Sequence, residues 1–219
     1  MSTMTTNDKK HVDAFTQLAS ATDEFEQYKS PHAVRIVELA DEIAQHFLLA
    51  SRDRRSLRAA ALLHDLGEAA MERDYIQRAA ALSADERVDL TRHPVIGEQE
   101  AARVGADRAT TLLVRWHHEW WNGSGYPDGL RGDEIPLAGR ILRLADSYVS
   151  LTASRPFRAA YSAAVARQMI IERAGIEFDP RVVQTLLQLE LTDHVEPAEA
   201  VEPVKTGYES KELFSSFMK

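Results

Sequence analysis

The chain has 219 residues, 44% of them hydrophobic and 27% charged, an ordinary globular balance for one domain with a core, or one domain plus a small appendage. It has no cysteine, which excludes disulfides and thiolate metal sites and leaves His, Asp and Glu as the ligands for any metal. A net charge of −8 argues against a nucleic-acid polymer as partner, and no apolar run can span a bilayer or act as a signal peptide, so a cytoplasmic, membrane-free protein is expected.

The hydrophobic spacing is helical almost throughout, with no β-branched alternation long enough for a sheet, so the fold class is all-α. Residues 9–29 read as a weak amphipathic helix with Phe15, Leu18 and Phe25. Ser30-Pro31 reads as an N-cap and first helical position. The helix that follows runs to about residue 49 and places His32, Ile36, Leu39 and Ile43 on one face. Leu57, Ala60, Ala61 and His64 repeat that spacing, and Gly67 is expected to end their helix. Ser83-Ala84-Asp85-Glu86 is a capping box, and His93-Pro94 breaks the short helix it opens.

A helix from about 95 to 104 is expected next. Asp107 then caps another, whose Ala109, Leu112, Leu113 and Trp116 face inward and which delivers His117 and His118. Glycines, Asn122 and Pro127 mark residues 119–135 as loop. Helices over about 137–152, 159–174 and 180–191 complete the pattern, the first carrying Asp146 on an apolar face and the last opened by Asp179-Pro180. From Glu190 onward the tail holds seven acidic residues and three lysines and reads as solvated.

His32, His64, His93, His117 and His118 thus fall on core-facing positions or at helix ends, joined by Asp65 and Asp146. A lone core histidine is more often structural than a ligand, and a lone buried aspartate is costly without a partner. Seven such groups on separate helices favour one shared site, because antiparallel helices bring their ends into one pocket, and imidazole with carboxylate suits iron, manganese or zinc.

"LLHDLGE" at 62–68 resembles the His-Asp signature of the HD superfamily of metal-dependent phosphohydrolases, and "HHEWWNGSGYP" at 117–127 resembles the second signature of its HD-GYP branch. "IPLAGRILRLADSYVSLTASRPFR" at 135–158, "HPVIG" at 93–97 and "FDPRVV" at 178–183 also fit, so the resemblance covers about residues 25–190. It implies a single HD-type helical bundle of roughly seven to nine helices with a metal centre in its core. The implied layout is an N-terminal helical extension over 1–29, the HD-GYP domain over 30–191 and an acidic tail over 192–219. The implied ligands are His32, His64, Asp65, His93, His117, His118 and Asp146, with Asp65 bridging two divalent ions, expected to be iron, with manganese as the alternative.

The implied activity is hydrolysis of cyclic di-GMP. Two cations about 3.5–4 Å apart hold the phosphodiester and lower the pKa of a bridging water. His64 and Asp65 carry the chemistry. Arg155 is expected to hold substrate, with Arg158, Tyr126 and Glu68 as further substrate contacts. The Gly-Tyr-Pro loop either lines the pocket or docks a diguanylate cyclase domain or sensor, and a homodimer is left open. Trp120 and Trp121 read as a lid more readily than as a guanine stack.

Four departures from the family pattern stand out. Tyr28 replaces a glutamate implied to hold a third metal, which favours two ions. Glu68 replaces a lysine implied to touch phosphate. Val149-Ser150 replaces Asp-Ala, and Asn122 replaces an aspartate. The rival readings are a module that binds cyclic dinucleotide or a protein partner without turnover, and a phosphohydrolase for another nucleotide.

Overall fold

The computed structural model describes residues 6–78, 80–154 and 158–189. Among these residues there are eleven α-helices and no strand, with an isolated bridge between Ala174 and Phe178. Nine of the eleven have seven residues or more, in agreement with the expected helical bundle. In chain order they are α1 (Thr6–Phe25), α2 (His32–His46), α3 (Ser51–Leu63), α4 (Leu66–Met71), α5 (Asp74–Gln77), α6 (Ala84–Leu90), α7 (His93–Arg103), α8 (Arg108–Trp116), α9 (Leu137–Leu151), α10 (Ala163–Glu172) and α11 (Pro180–Gln188).

The centre of the bundle is α9. Twelve of its fifteen residues are buried, which is what a helix surrounded by others requires. It packs against α2, α3, α8, α10 and α11, and α2 and α3 also pack on each other. Ile36, Ile43, Leu57, Ala60, Ile141, Leu142 and Ala145 are fully enclosed between them. Phe15 and Ala19 of α1 join the same core. A smaller cluster of Met71, Ile76, Leu82 and Leu90 lies under α4 to α6.

Several local expectations are corrected. Ser30 is not the cap of α2. Pro31 occupies the N-cap without a side-chain bond, and Asp23, at the end of α1, accepts from the backbone N–H of His32 (2.8 Å) and Ala33 (3.3 Å) instead. Burial raises the pKa of Asp23, an effect opposed by His32 and the backbone bonds.

Gly67 does not end a helix either. It lies inside α4, where an added Cβ would meet the carbonyl oxygen of His93 at 2.0 Å and the amide nitrogen of Gly97 at 2.7 Å. Glycine is there because α4 and α7 touch backbone to backbone. The inward face of α8 is turned from the expected one. Thr110, Leu113 and Val114 are buried, while Ala109, Leu112 and Trp116 line an open apolar groove with Leu49 and Leu137. The capping box at Ser83 and the caps at Asp107 and Asp179 form as expected.

Candidate metal centre

The seven side chains singled out in the sequence meet in two groups at the middle of the bundle. Asp65, His93, His117 and His118 form one, and His32, His64 and Asp146 form the other, each offering ligand atoms within 4.8 Å of one another. The two groups meet at Asp65. Its Oδ1 lies 3.4 Å from His93 Nε2 and 3.5 Å from His117 Nε2, while its Oδ2 lies 2.9 Å from His64 Nε2. One carboxylate therefore addresses both groups, an oxygen each.

Helix ends place three of the rings. The last carbonyls of an α-helix have no partner within the helix. His64 follows α3 and its Nδ1 donates to Ala61 O (3.0 Å), and His117 follows α8 and donates to Val114 O (2.6 Å). His93 follows α6 and donates to Leu90 O (2.8 Å). Each bond fixes a hydrogen on Nδ1 and leaves Nε2 as the nitrogen free to turn to a metal.

The atoms so presented have no better partner than a cation. His93 Nε2 and His117 Nε2 face each other at 3.2 Å, although both rings already carry their hydrogen on Nδ1. His64 Nε2, Asp65 Oδ1 and both nitrogens of His32 are buried without a hydrogen bond. The 2.9 Å approach of His64 to Asp65 is close but poorly aligned, as for two ligands aimed at a shared point. Buried polar atoms left in this state are costly. A divalent cation satisfies them, so the donor set fits a metal.

Electrostatics agree. Burial disfavours charge on Asp65, Asp146, His64 and His93, yet the neighbours override it for the carboxylates. His64, His117 and His93 hold Asp65 well below the usual carboxylate range, and His32 and His64 bring Asp146 to about 2. For His64, burial acts downward, and Asp65 with Asp146 outweighs it to raise the ring to about 10. His93 is lowered to about 4, by burial first.

The surroundings differ between the groups. His32 lies in a stack with Tyr28, with centroids 3.8 Å apart and planes 7° apart. Asp146 Oδ1 accepts from Ser150 Oγ (3.2 Å), and the Tyr28 hydroxyl lies 3.5 Å from that Oγ. Two of the departures from the family pattern thus hold ligands in place, and Val149 is a core residue. Glu68 lies outside both groups, its Oε1 3.9 Å from His93 Nδ1, which already bonds Leu90 O.

The Gly-Tyr-Pro loop is built on a residue the sequence reading missed. The Glu119 carboxylate, 1% exposed, accepts from the amides of Asp128 (2.7 Å), Gly129 (3.1 Å) and Leu130 (2.9 Å). A Cβ at Gly125 would come within 2.3 Å of Trp120 N and 2.5 Å of His118 O, so only glycine lets the loop fold back on the end of α8. Tyr126 then lies against the His118 ring (4.9 Å, 23°), and burial pushes its pKa up. Asn122 Oδ1 turns the loop by accepting from Ser124 N (2.9 Å). Arg173 covers one face of Trp120 and Arg140 one face of Trp121.

Two other expected substrate contacts fare differently. Arg158 donates to the carbonyls of Ser150 (2.6 Å) and Leu151 (3.1 Å) and so caps the end of α9. Arg155 lies outside the described residues, as does the acidic tail.

A family model described as the HD domain matches residues 10–182, beginning within α1. The cyclic di-GMP phosphodiesterase response regulator RpfG of Xanthomonas campestris is 31% identical over 195 residues, 86% of this chain and 50% of its own length. The chain belongs to the HD-GYP branch of the HD domain family. Another relative by sequence, named 3'3'-cGAMP-specific phosphodiesterase 3 of Vibrio cholerae, is 31% identical over 80% of this chain and 37% of its own length. The HD-GYP chain thus spans half or less of these two relatives. Two solved structures share its fold. A HDG"Y"P protein from Bdellovibrio bacteriovorus aligns at TM-score 0.59 and 24% identity, over 72% of this chain and 50% of that one. A cyclic GMP-AMP-specific phosphodiesterase of Vibrio cholerae aligns at 0.62 and 21%, over 80% and 48%. Family and buried cluster together identify a divalent-metal site. Among the described residues no helix is long and apolar enough to cross a membrane.

Proposed function

We propose that this chain hydrolyses the phosphodiester bond of a cyclic dinucleotide, with cyclic di-GMP as the preferred substrate, at a centre of two divalent ions, iron first and manganese second. The observation that carries this reading is Asp65, whose two oxygens face two separate groups of buried ligands. His64, His32 and Asp146 hold one ion, and His93 with His117 holds the other. Relatives named as phosphodiesterases for cyclic di-GMP and for 3'3'-cGAMP support the substrate class.

When bound, the ions neutralise the phosphodiester and make a water nucleophilic at neutral pH. The chain's own residues do the rest. The three Nδ1–H bonds to helix-end carbonyls leave Nε2 of each ring to face the metal, and Ser150 orients Asp146. Burial in the bundle lowers the local dielectric, which strengthens each of these interactions. The Glu119-anchored loop sets Tyr126 against the His118 ring.

A second reading has 3'3'-cGAMP as the substrate, favoured by the relatives named for it. Anaerobically purified protein loaded with iron or manganese, incubated with each dinucleotide in turn, tests both. Linear product from cyclic di-GMP at the higher kcat/KM supports the first reading. Product from 3'3'-cGAMP alone supports the second. Tight binding of both without product contradicts hydrolysis.

A further inference from the structure

We propose that Arg143 keeps His118 out of the metal-ligand set. It holds the ring with its hydrogen on Nε2, so that His118 stands beside the centre as a hydrogen-bond donor while its neighbour His117 ligates. This inference rests on the metal reading above.

A guanidinium has five N–H donors and no acceptor. Arg143 Nη1 lies 3.0 Å from His118 Nδ1, so that nitrogen presents its lone pair to Arg143, and the neutral ring carries its hydrogen on Nε2. His117 is the opposite case, with Nδ1 donating to Val114 O and Nε2 bare. A ring nitrogen that bears hydrogen has no lone pair for a cation. The nitrogen of His118 that has one is already engaged, 3.0 Å from a positive charge. The two adjacent imidazoles therefore differ in what they can do.

Arg143 is held for this task. It lies on the central helix α9, three residues before Asp146, and is 8% exposed. Its Nη2 pairs with Glu177 Oε1, and Glu177 is itself 3% exposed. The second oxygen of Glu177 accepts from Arg173 Nε at 3.2 Å. Arg143 Nη1 also lies 3.4 Å from Asp146 Oδ2. Swinging Arg143 aside would strand its charge and that of Glu177 in the interior. Tyr126, against the His118 ring, fixes the plane in which Nε2–H is offered. Arg143 is thus a positioning residue that acts through His118, and its clamp on Asp146 ties it to the other ligand group as well.

Long-range proton–nitrogen spectra of protein labelled with ¹⁵N-histidine, metal-free and loaded with zinc, test this directly, with His118→Gln identifying the His118 signals. The expected result is a protonated Nε2 and bare Nδ1 on His118 in both forms. His64, His93 and His117 should show protonated Nδ1 and an Nε2 that shifts with zinc. His118→Gln should keep the parent's zinc content, whereas His117→Gln loses zinc. Arg143→Met, of similar length without donors, should reverse the His118 ring and bring its Nε2 into the zinc-shifted set. Arg143→Lys, which keeps a donor, should restore the parent pattern. A zinc-shifted His118 Nε2 in the parent overturns the proposal and leaves the metal centre standing. An unchanged His118 ring in Arg143→Met removes Arg143 from the account. Failure of every ring to respond to zinc overturns the metal reading and this proposal with it.

Discussion

The two halves of the metal centre are held by different means. In the half around Asp65, backbone carbonyls at helix ends orient the rings of His93 and His117, and neither bond depends on another side chain, while His118 beside them is held by Arg143. In the half made by His32, His64 and Asp146, only His64 has such a bond. His32 is held by its stack with Tyr28, and Asp146 by Ser150 and Arg143. Backbone-held ligands tolerate changes around them and fail when a helix shifts. Side-chain-held ligands fail one contact at a time. Substitutions should sort accordingly.

The largest effect should come from the one residue common to both halves. Asp65→Asn removes the charge shared by the two groups, and the expected outcome is loss of both metals and of all turnover, read by metal analysis and product assay. Retention of one full equivalent of metal would show that the halves are independent. Gly67→Ala comes next, since the new methyl meets the backbone of His93 at 2.0 Å. It should destabilise the protein by about 3 kcal/mol or more, visible as a lower denaturant midpoint, because overpacking against backbone has no flexible neighbour to yield. Its metal loss should fall first on the half that contains His93. Ser150→Ala removes one bond to Asp146 and should weaken only the other half, by roughly tenfold in metal affinity, the lower range for residues that orient ligands. Equal weakening of both halves would erase the distinction drawn here.

The protons provide a finer test of the same contrast. In the metal-free protein His64 is raised to about 10 by Asp65 and Asp146 against the pull of burial, from an ordinary value of 6.5. A raised folded pKa stabilises the metal-free fold fully below pH 6.5, and that contribution is lost as pH rises through 10. The metal needs this nitrogen bare, so at pH 8 uptake should release roughly one proton from His64, and affinity should fall as pH is lowered. Calorimetry in buffers of different ionisation enthalpy reads the proton count. No proton release at pH 8 would mean that His64 is not displaced.

The helices and the seven residues that gather in the core were legible from sequence, by spacing along the helices and by the motifs that resemble the family. His32 and Asp146 share an apolar stripe with their neighbours, and His64 and His117 follow the last turns of α3 and α8. Charged residues whose partners lie far along the chain were not legible. Asp23 caps α2 from nine residues before His32, a distance no capping pattern covers. Glu177 pairs with Arg143 across 34 positions. Glu119 finds its three amides nine to eleven residues on, and only its place directly after His118 hinted at a role. Arg143 had a readable signal, a cation three residues before Asp146 and therefore on the same helical face. The turn of α8 was misread because Thr110 is buried and Trp116 is not, the indole N–H reaching Asp128 Oδ2 at 2.8 Å.

The central claim is that Asp65 joins two ions. Anomalous scattering from crystals of the manganese-loaded protein tests it most directly. The account predicts two peaks about 3.5–4 Å apart, with one Asp65 oxygen on each. A single peak, or two peaks with Asp65 bound to only one, would contradict it.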